Sequence, residues 1–121
     1  MATNNSQICV TLEAGQDLSA KQFFFVTVAS DGQVDPAGDG LMATGVLLND
    51  PAAAGRAAEV CISGITRVEA GGTVTAGAAV ASDASGNAVA AASGDVILGT
   101  AITGGADGEV ISVLFNPRGE L

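Results

Sequence analysis

Residues 12–31 read LEAGQDLSAKQFFFVTVASD, and residues 68–83 read VEAGGTVTAGAAVASD. Each stretch opens with a branched apolar residue followed by Glu-Ala-Gly, continues through an apolar residue, Ser or Thr, and Ala, and ends in Val-Ala-Ser-Asp. The echo continues downstream. Gly38-Asp39 answers to Gly94-Asp95, Gly45-Val-Leu-Leu to Gly99-Thr-Ala-Ile, and Glu59-Val60 to Glu109-Val110. The offset ranges from 56 residues (Leu12 to Val68) to 50 (Glu59 to Glu109), as it would if loops had been lengthened or trimmed. The ordered landmarks predict an internal duplication, with units near 8–64 and 65–116. Two copies are too few for a solenoid. They can close about a pseudo-twofold axis, each covering the other's open apolar face and sheet edge.

The composition suits that plan. A chain of 121 residues is one domain in size. With no Trp or Tyr and four Phe, the core rests on Val, Ile and Leu. Valine with 17 glycines favours strands and turns over helices. Strands are expected at Ile8–Leu12, Phe23–Val28, Thr44–Leu48, Glu59–Ile62 (running on towards Val68), Ala79–Ser82, Asn87–Ala91, Val96–Ile102 and Glu109–Phe115. Turn residues at Asp83, Ser85 and Gly86, and again at Thr103–Gly108, mark hairpins. Pro51–Ala58 has room for one helical turn. The expected fold is mainly β, a small barrel or sandwich built from a duplicated β-unit, with long loops and little helix. A polar arm, residues 1–7, precedes the domain at 8–116, and a short tail, 117–121, follows.

Charge narrows the partners. Four basic residues face thirteen acidic ones, a net charge of −9. Such a surface repels nucleic-acid phosphates and anionic membranes. No segment approaches the apolar length of a membrane span, and MATNNSQICV lacks the basic and apolar regions of a secretion signal. Cys9 and Cys61 read as small buried thiols of a chain made in a reducing cytoplasm, with a disulfide between them left open.

Catalytic constellations are scarce. Without histidine there is no Ser-His-Asp arrangement and no common zinc ligand. Lys21 is the only lysine, and no phosphate-binding glycine motif contains it. Asp31, Asp35 and Asp39 stand four apart, unlike the ligands of an EF-hand loop. GGADGE at 104–109 reads as a turn. No enzyme activity, cofactor, metal or small-molecule substrate is expected.

Three segments are candidates for contact with a partner. Phe23, Phe24 and Phe25 cannot all face one side of a strand, so they form either a strand buried on both faces or an exposed surface. Asn49, Asp50 and Pro51 open a loop that ends near Arg56, read either as a solvated loop or as a contact. The arm, with Asn4, Asn5 and Gln7, is either disordered or ordered by a partner.

Several motifs taken in order resemble the capsid cement, or head decoration, proteins of tailed bacteriophages. They are Leu18-Ser-Ala-Lys21, Val28-Ala-Ser-Asp-Gly32, Gly45-Val-Leu-Leu-Asn-Asp-Pro51, the stretch from Ala70-Gly71 to Gly86, and the stretch from Gly99 to Leu114. The resemblance covers roughly residues 10–116. It implies a non-enzymatic virion protein on the outer capsid surface, made in the host bacterial cytoplasm. Its implied partner is the phage major capsid protein, whose subunits it bridges as a homotrimer, stabilising the expanded shell. Two other readings remain. A β-rich surface or adhesion domain would need a secretion signal. A biotinyl- or lipoyl-like carrier module would need an exposed hairpin lysine, and Lys21 in SAKQFFF lacks the usual flanks.

Overall fold

The computed structural model describes residues 5–121, with side chains from Gln7 onward. The arm residues 1–4 lie outside the described residues. Among the described residues there is no helix, and nine strands form one sheet: β1 (Asn5–Ala14), β2 (Phe25–Val28), β3 (Gln33–Pro36), β4 (Gly45–Leu47), β5 (Ala57–Glu69), β6 (Ala79–Ser82), β7 (Ala88–Ala90), β8 (Val96–Ala101) and β9 (Val110–Glu120). The mainly β class is therefore observed.

The strand order is β1-β3-β2-β4-β5-β9-β8-β6-β7, and β1 also pairs with β5. The first five strands thus close into a ring. β1 runs antiparallel to β5, with Val10 opposite Val60, and parallel to β3, with Ala14 opposite Val34. Beyond β5 the order β9-β8-β6-β7 mirrors β4-β2-β3 and the half of β5 that carries them. Ala70, just past β5, makes one parallel bridge to Ala88 where the first half has its β1–β3 ladder.

Main-chain hydrogen bonds give the counterparts. Ala14 N donates to Arg56 O, as Ala70 N does to Glu109 O; Gly15 N donates to Val34 O, as Gly71 N does to Ala88 O. The repeated Glu-Ala-Gly is explained at this seam. Ala14 and Ala70 are fully buried where two strands meet. A Cβ on Gly15 would stand 2.6 Å from Asp35 Oδ1, and one on Gly71 would overlap the Asp83 carboxylate.

The repeated Val-Ala-Ser-Asp does not superpose. Val28 faces Val34 in the first hairpin, and it is Ser82, not Val80, that faces Ala88 in the second. Likewise, in the Gly-Asp echo the glycine with positive φ is Gly40, one step past Asp39, in the first half, and Gly94, one step before Asp95, in the second.

Two apolar clusters follow the same plan. The first ring encloses Ala14, Leu18, Val26, Val34, Leu47, Ala58 and Val60. Their counterparts Ala70, Val74, Val80, Ala88, Ala101, Ile111 and Val113 all lie in the larger cluster. That cluster adds Phe25, Ala37, Ala43, Val46, Val68, Leu98 and Phe115, with the Phe25 and Phe115 rings 6.2 Å apart. Val46 and Phe25 face each other across β4 and β2 while their neighbours Leu47 and Val26 fill the first ring. A strand alternates its faces, so the first ring's outer wall packs on the second half.

Several expected boundaries shift. The strand expected from Phe23 begins at Phe25, because Phe23 takes φ +70°. β3 is an unexpected strand; Pro36 closes it, and Val34 is its one buried apolar residue. Pro51–Ala58 forms no helical turn, and Ala57 already belongs to β5. β5 passes unbroken through the expected unit boundary, and the ends of the chain join the sheet from Asn5 and as far as Glu120.

Candidate functional site

The expected contact residues fall in three places. Phe25 is fully buried against Val46 and Phe115, and Phe24 is 7% exposed. Both are core residues, and the reading of Phe25 as a surface contact is corrected: Val26 on one face of β2 fills the first ring, and Phe25 on the other packs into the larger cluster with Phe115, so both faces are covered. Phe23 is half-buried beside them. Its N–H donates to Leu47 O, and its carbonyl accepts from Glu69 N. At the equivalent turn in the second half, Gly77 N donates to Ala101 O, and Gly77 has φ +87°. Phe23 is the one non-glycine residue with positive φ among the described residues. An L-residue held there costs roughly 1–2 kcal/mol.

The loop from Asn49 to Arg56 wraps the segment that follows β1. Gln22 Nε2 donates to Leu48 O at 2.9 Å, Leu18 N to Pro51 O, and Gly55 N to Ala14 O. Asn49 braces the loop from inside, its Nδ2 donating to Ala57 O at 3.0 Å and its Oδ1 accepting from Glu59 N at 2.9 Å. Asn49 is thus a positioning residue for the loop. Pro51 is buried, whereas Asp50 and Arg56 are exposed. Asp50 and Arg56 therefore face solvent on this loop, and Phe23 stands half-buried where the main chain joins Leu47 and Glu69.

Beside Arg56 opens a cleft of about 450 Å³, lined by Thr11, Glu13, Asp31, Gly32, Gly55 and Ala57 among others. Gln33 ties its acidic rim, donating through Nε2 to Glu13 Oε1 at 3.3 Å and through its main-chain N–H to Asp31 Oδ1 at 2.9 Å. On the neighbouring segment, the Ser19 hydroxyl and then its N–H hold the Asp17 carboxyl below its ordinary value. No three His, Cys, Asp or Glu converge as metal ligands among the described residues.

Gln7 lies apart. Its Nε2 donates to Ile65 O at 3.2 Å, at the opposite end of β1 from Arg56. Asn4 lies outside the described residues, and Asn5 pairs with Ile65 through its backbone. Lys21 holds its ammonium 4.7 Å from the Phe24 ring centroid. It sits between β1 and β2, not at the tip of a hairpin as a carrier lysine would.

Sequence reasoning missed Leu41 and Met42, exposed by 60% and 52% between β3 and β4. The signal was present as two large apolar residues directly after the turn-forming Gly38-Asp-Gly40.

The structure is similar to a solved one, the N base of head fiber gp8.5 of bacteriophage phi29. The TM-score is 0.71 at 18% identity, covering 95% of this chain and 98% of that one. At that identity the likeness speaks for the fold. No curated protein sequence matches the chain. The family model for phage cement protein matches residues 1–116, which is nearly the whole chain. This all-β chain therefore belongs to the phage cement protein family.

Proposed function

We propose that the chain binds the outer surface of a phage capsid and stabilises the expanded shell by bridging neighbouring major capsid protein subunits, as a homotrimer on the shell. The observation that carries this reading is the family match across residues 1–116, which makes a capsid structural protein the coarsest description that fits. The role is structural and not enzymatic, and it invokes no nucleic acid, membrane or small-molecule substrate. Residues 1–7 act as an arm whose last three residues start β1, 8–116 as the body of two like units, and 117–121 as a tail that extends β9. Many copies, each held by a modest interface, together add up to a strong reinforcement.

The contact surface in this reading is Arg56, Asp50 and Phe23, with the arm through Asn4, Asn5 and Gln7 reaching a second subunit. The strain at Phe23 supports it, because an unfavourable backbone geometry at a half-exposed aromatic calls for a compensating role.

The test is quantitative mass spectrometry of purified virions, with capsid pelleting of purified protein variants. The expected result is near-stoichiometric copies per major capsid subunit, released by mild denaturant before the shell opens. Arg56→Ala and deletion of residues 1–4, which stops short of β1, should each weaken pelleting while thermal unfolding stays unchanged. A handful of copies per particle would move the protein to the tail or a vertex. Unchanged pelleting of both variants would discard this contact surface.

A further inference from the structure

Cys9 on β1 and Cys61 on β5 are direct partners in the antiparallel register. Opposed residues in such a pair project to the same face of the sheet. Their Cα atoms are separated by about 4.5 or 5.5 Å according to which alternation they occupy. Both values lie inside the span of about 4.4–6.8 Å found across disulfides. The two thiols also interact. The Cys9 thiol is pushed above its ordinary range by burial first, then by the neighbouring Cys61 and Glu59 charges and a hydrogen bond with Cys61. No bond joins them in this structure.

Their surroundings differ in a way that assigns roles. Cys9 is exposed, next to a register irregularity between Ile8 and Cys9 where the ladder is locally broken. Cys61 is fully buried, its thiol donating to Ser63 O at 3.2 Å, and β4's Val46 faces it on the other side. An oxidant in solution reaches the first sulfur and not the second.

We propose that Cys9 and Cys61 are a redox-sensitive cross-strand pair, oxidised by small-molecule disulfides to a bond that locks β1 onto β5. The exposed Cys9 thiolate attacks the disulfide RSSR, forming a Cys9–SR mixed disulfide and releasing one RS⁻. The Cys61 thiolate then displaces the second RS⁻ from Cys9, closing the internal bond. The two cysteine protons end on the two released thiols, and the two electrons that the cysteines give up reduce RSSR to 2 RSH. Exchange proceeds through thiolates, so the raised Cys9 pKa makes closure slow at neutral pH and faster in alkali. The bond clamps the seam at which the first ring closes, where β1 has only β3 as its other neighbour. The proposal stands apart from the capsid reading, since it concerns the isolated chain.

The test is incubation of the purified full chain with glutathione disulfide at pH 8.5, followed by intact mass, peptide mapping and thermal unfolding. The expected product is monomeric, lighter by two hydrogen atoms, with Cys9 linked to Cys61. Its midpoint should rise by roughly 5–15 °C, reversed by dithiothreitol. Cys9→Ser, a change at an exposed position that spares the core, should unfold like the reduced protein and show no shift with oxidant. A stable glutathione adduct on Cys9 without closure, a covalent dimer through Cys9, or a closed bond with no rise in midpoint would each overturn the proposal.

Discussion

Thr66 faces the interior of the second half as Val10 does in the first, yet its buried hydroxyl has no partner among the described residues. Valine has the same shape without the hydroxyl. Thr66→Val should therefore stabilise the protein by about 1 kcal/mol, seen as a higher urea midpoint with an unchanged m-value. Phe23 offers the opposite comparison, because the other half already places Gly77 at that turn. Phe23→Gly relieves strain of roughly 1–2 kcal/mol and gives back a similar amount in chain entropy and lost packing. Its thermal midpoint should stay within a few degrees of the parent while capsid pelleting falls. A large loss of stability would show that Phe23 is a core residue like Phe25.

Among the elements, the two interiors hold the same places with different fillings. Leu18, Val34 and Leu47 answer to the smaller Val74, Ala88 and Ala101, while Ala58 answers to the larger Ile111. Ile111 returns only part of the volume that the three smaller residues remove, and the larger cluster is completed by residues such as Val68 and Leu98, so each interior suits its own set. Leu47→Ala should cost about 2–5 kcal/mol and Ala58→Ile about 1–3. Both face the first ring's interior, so the double variant should cost at least about 1 kcal/mol less than the sum, measured by a urea double-mutant cycle. Strict additivity would show that the inserted methyl groups do not reach the cavity. The repeated glycine at the start of β4 and within β8 has a firmer cause. A Cβ on Gly45 would overlap Cys61 O, and one on Gly99 would overlap Leu114 O. Main-chain atoms cannot step aside, so Gly99→Ala should destabilise by about 3 kcal/mol or more, visible as a sharp drop in thermal midpoint.

These elements also show what the sequence could and could not reveal. β8 and β9 were legible because hydrophobic runs flank a glycine-rich turn. β3 was not, since four residues with one buried side chain carry no period. The Val-Ala-Ser-Asp phrase was legible as a repeat but misleading as a register, because identical letters occupy positions two apart in the two hairpins. The Asn49–Arg56 loop stood out by its composition. That Asn49 braces it while Arg56 faces outward depends on side-chain hydrogen bonds, which spacing does not encode. Phe25 was ambiguous because its face is covered by the second half of the chain, Phe115 included, and no local spacing encodes that contact.

At the scale of the molecule, a net charge of −9 is spread over a small body, with Lys21 held against Phe24 and Arg118 directed to Thr100 Oγ1 at 3.1 Å. Self-repulsion therefore opposes compaction. Raising salt from about 20 mM to about 500 mM shortens the screening length and should raise the thermal midpoint. A midpoint that falls with salt would mean that attractive pairs dominate.

The strand shared by both halves has a consequence for the chain as it is being made. β5 is thirteen residues long; its first part closes the opening ring with β1 as far as Ile65, and its last four residues find a ladder partner only in β9. On a ribosome the opening half has all its strands before β9 exists, and the end of β5 must wait as an open edge. That waiting segment, with Thr66 and Val68, offers the nascent chain a built-in template on which the later half assembles. It also offers another nascent chain the same edge, so the interval before β9 emerges is when this protein is most exposed to mispairing.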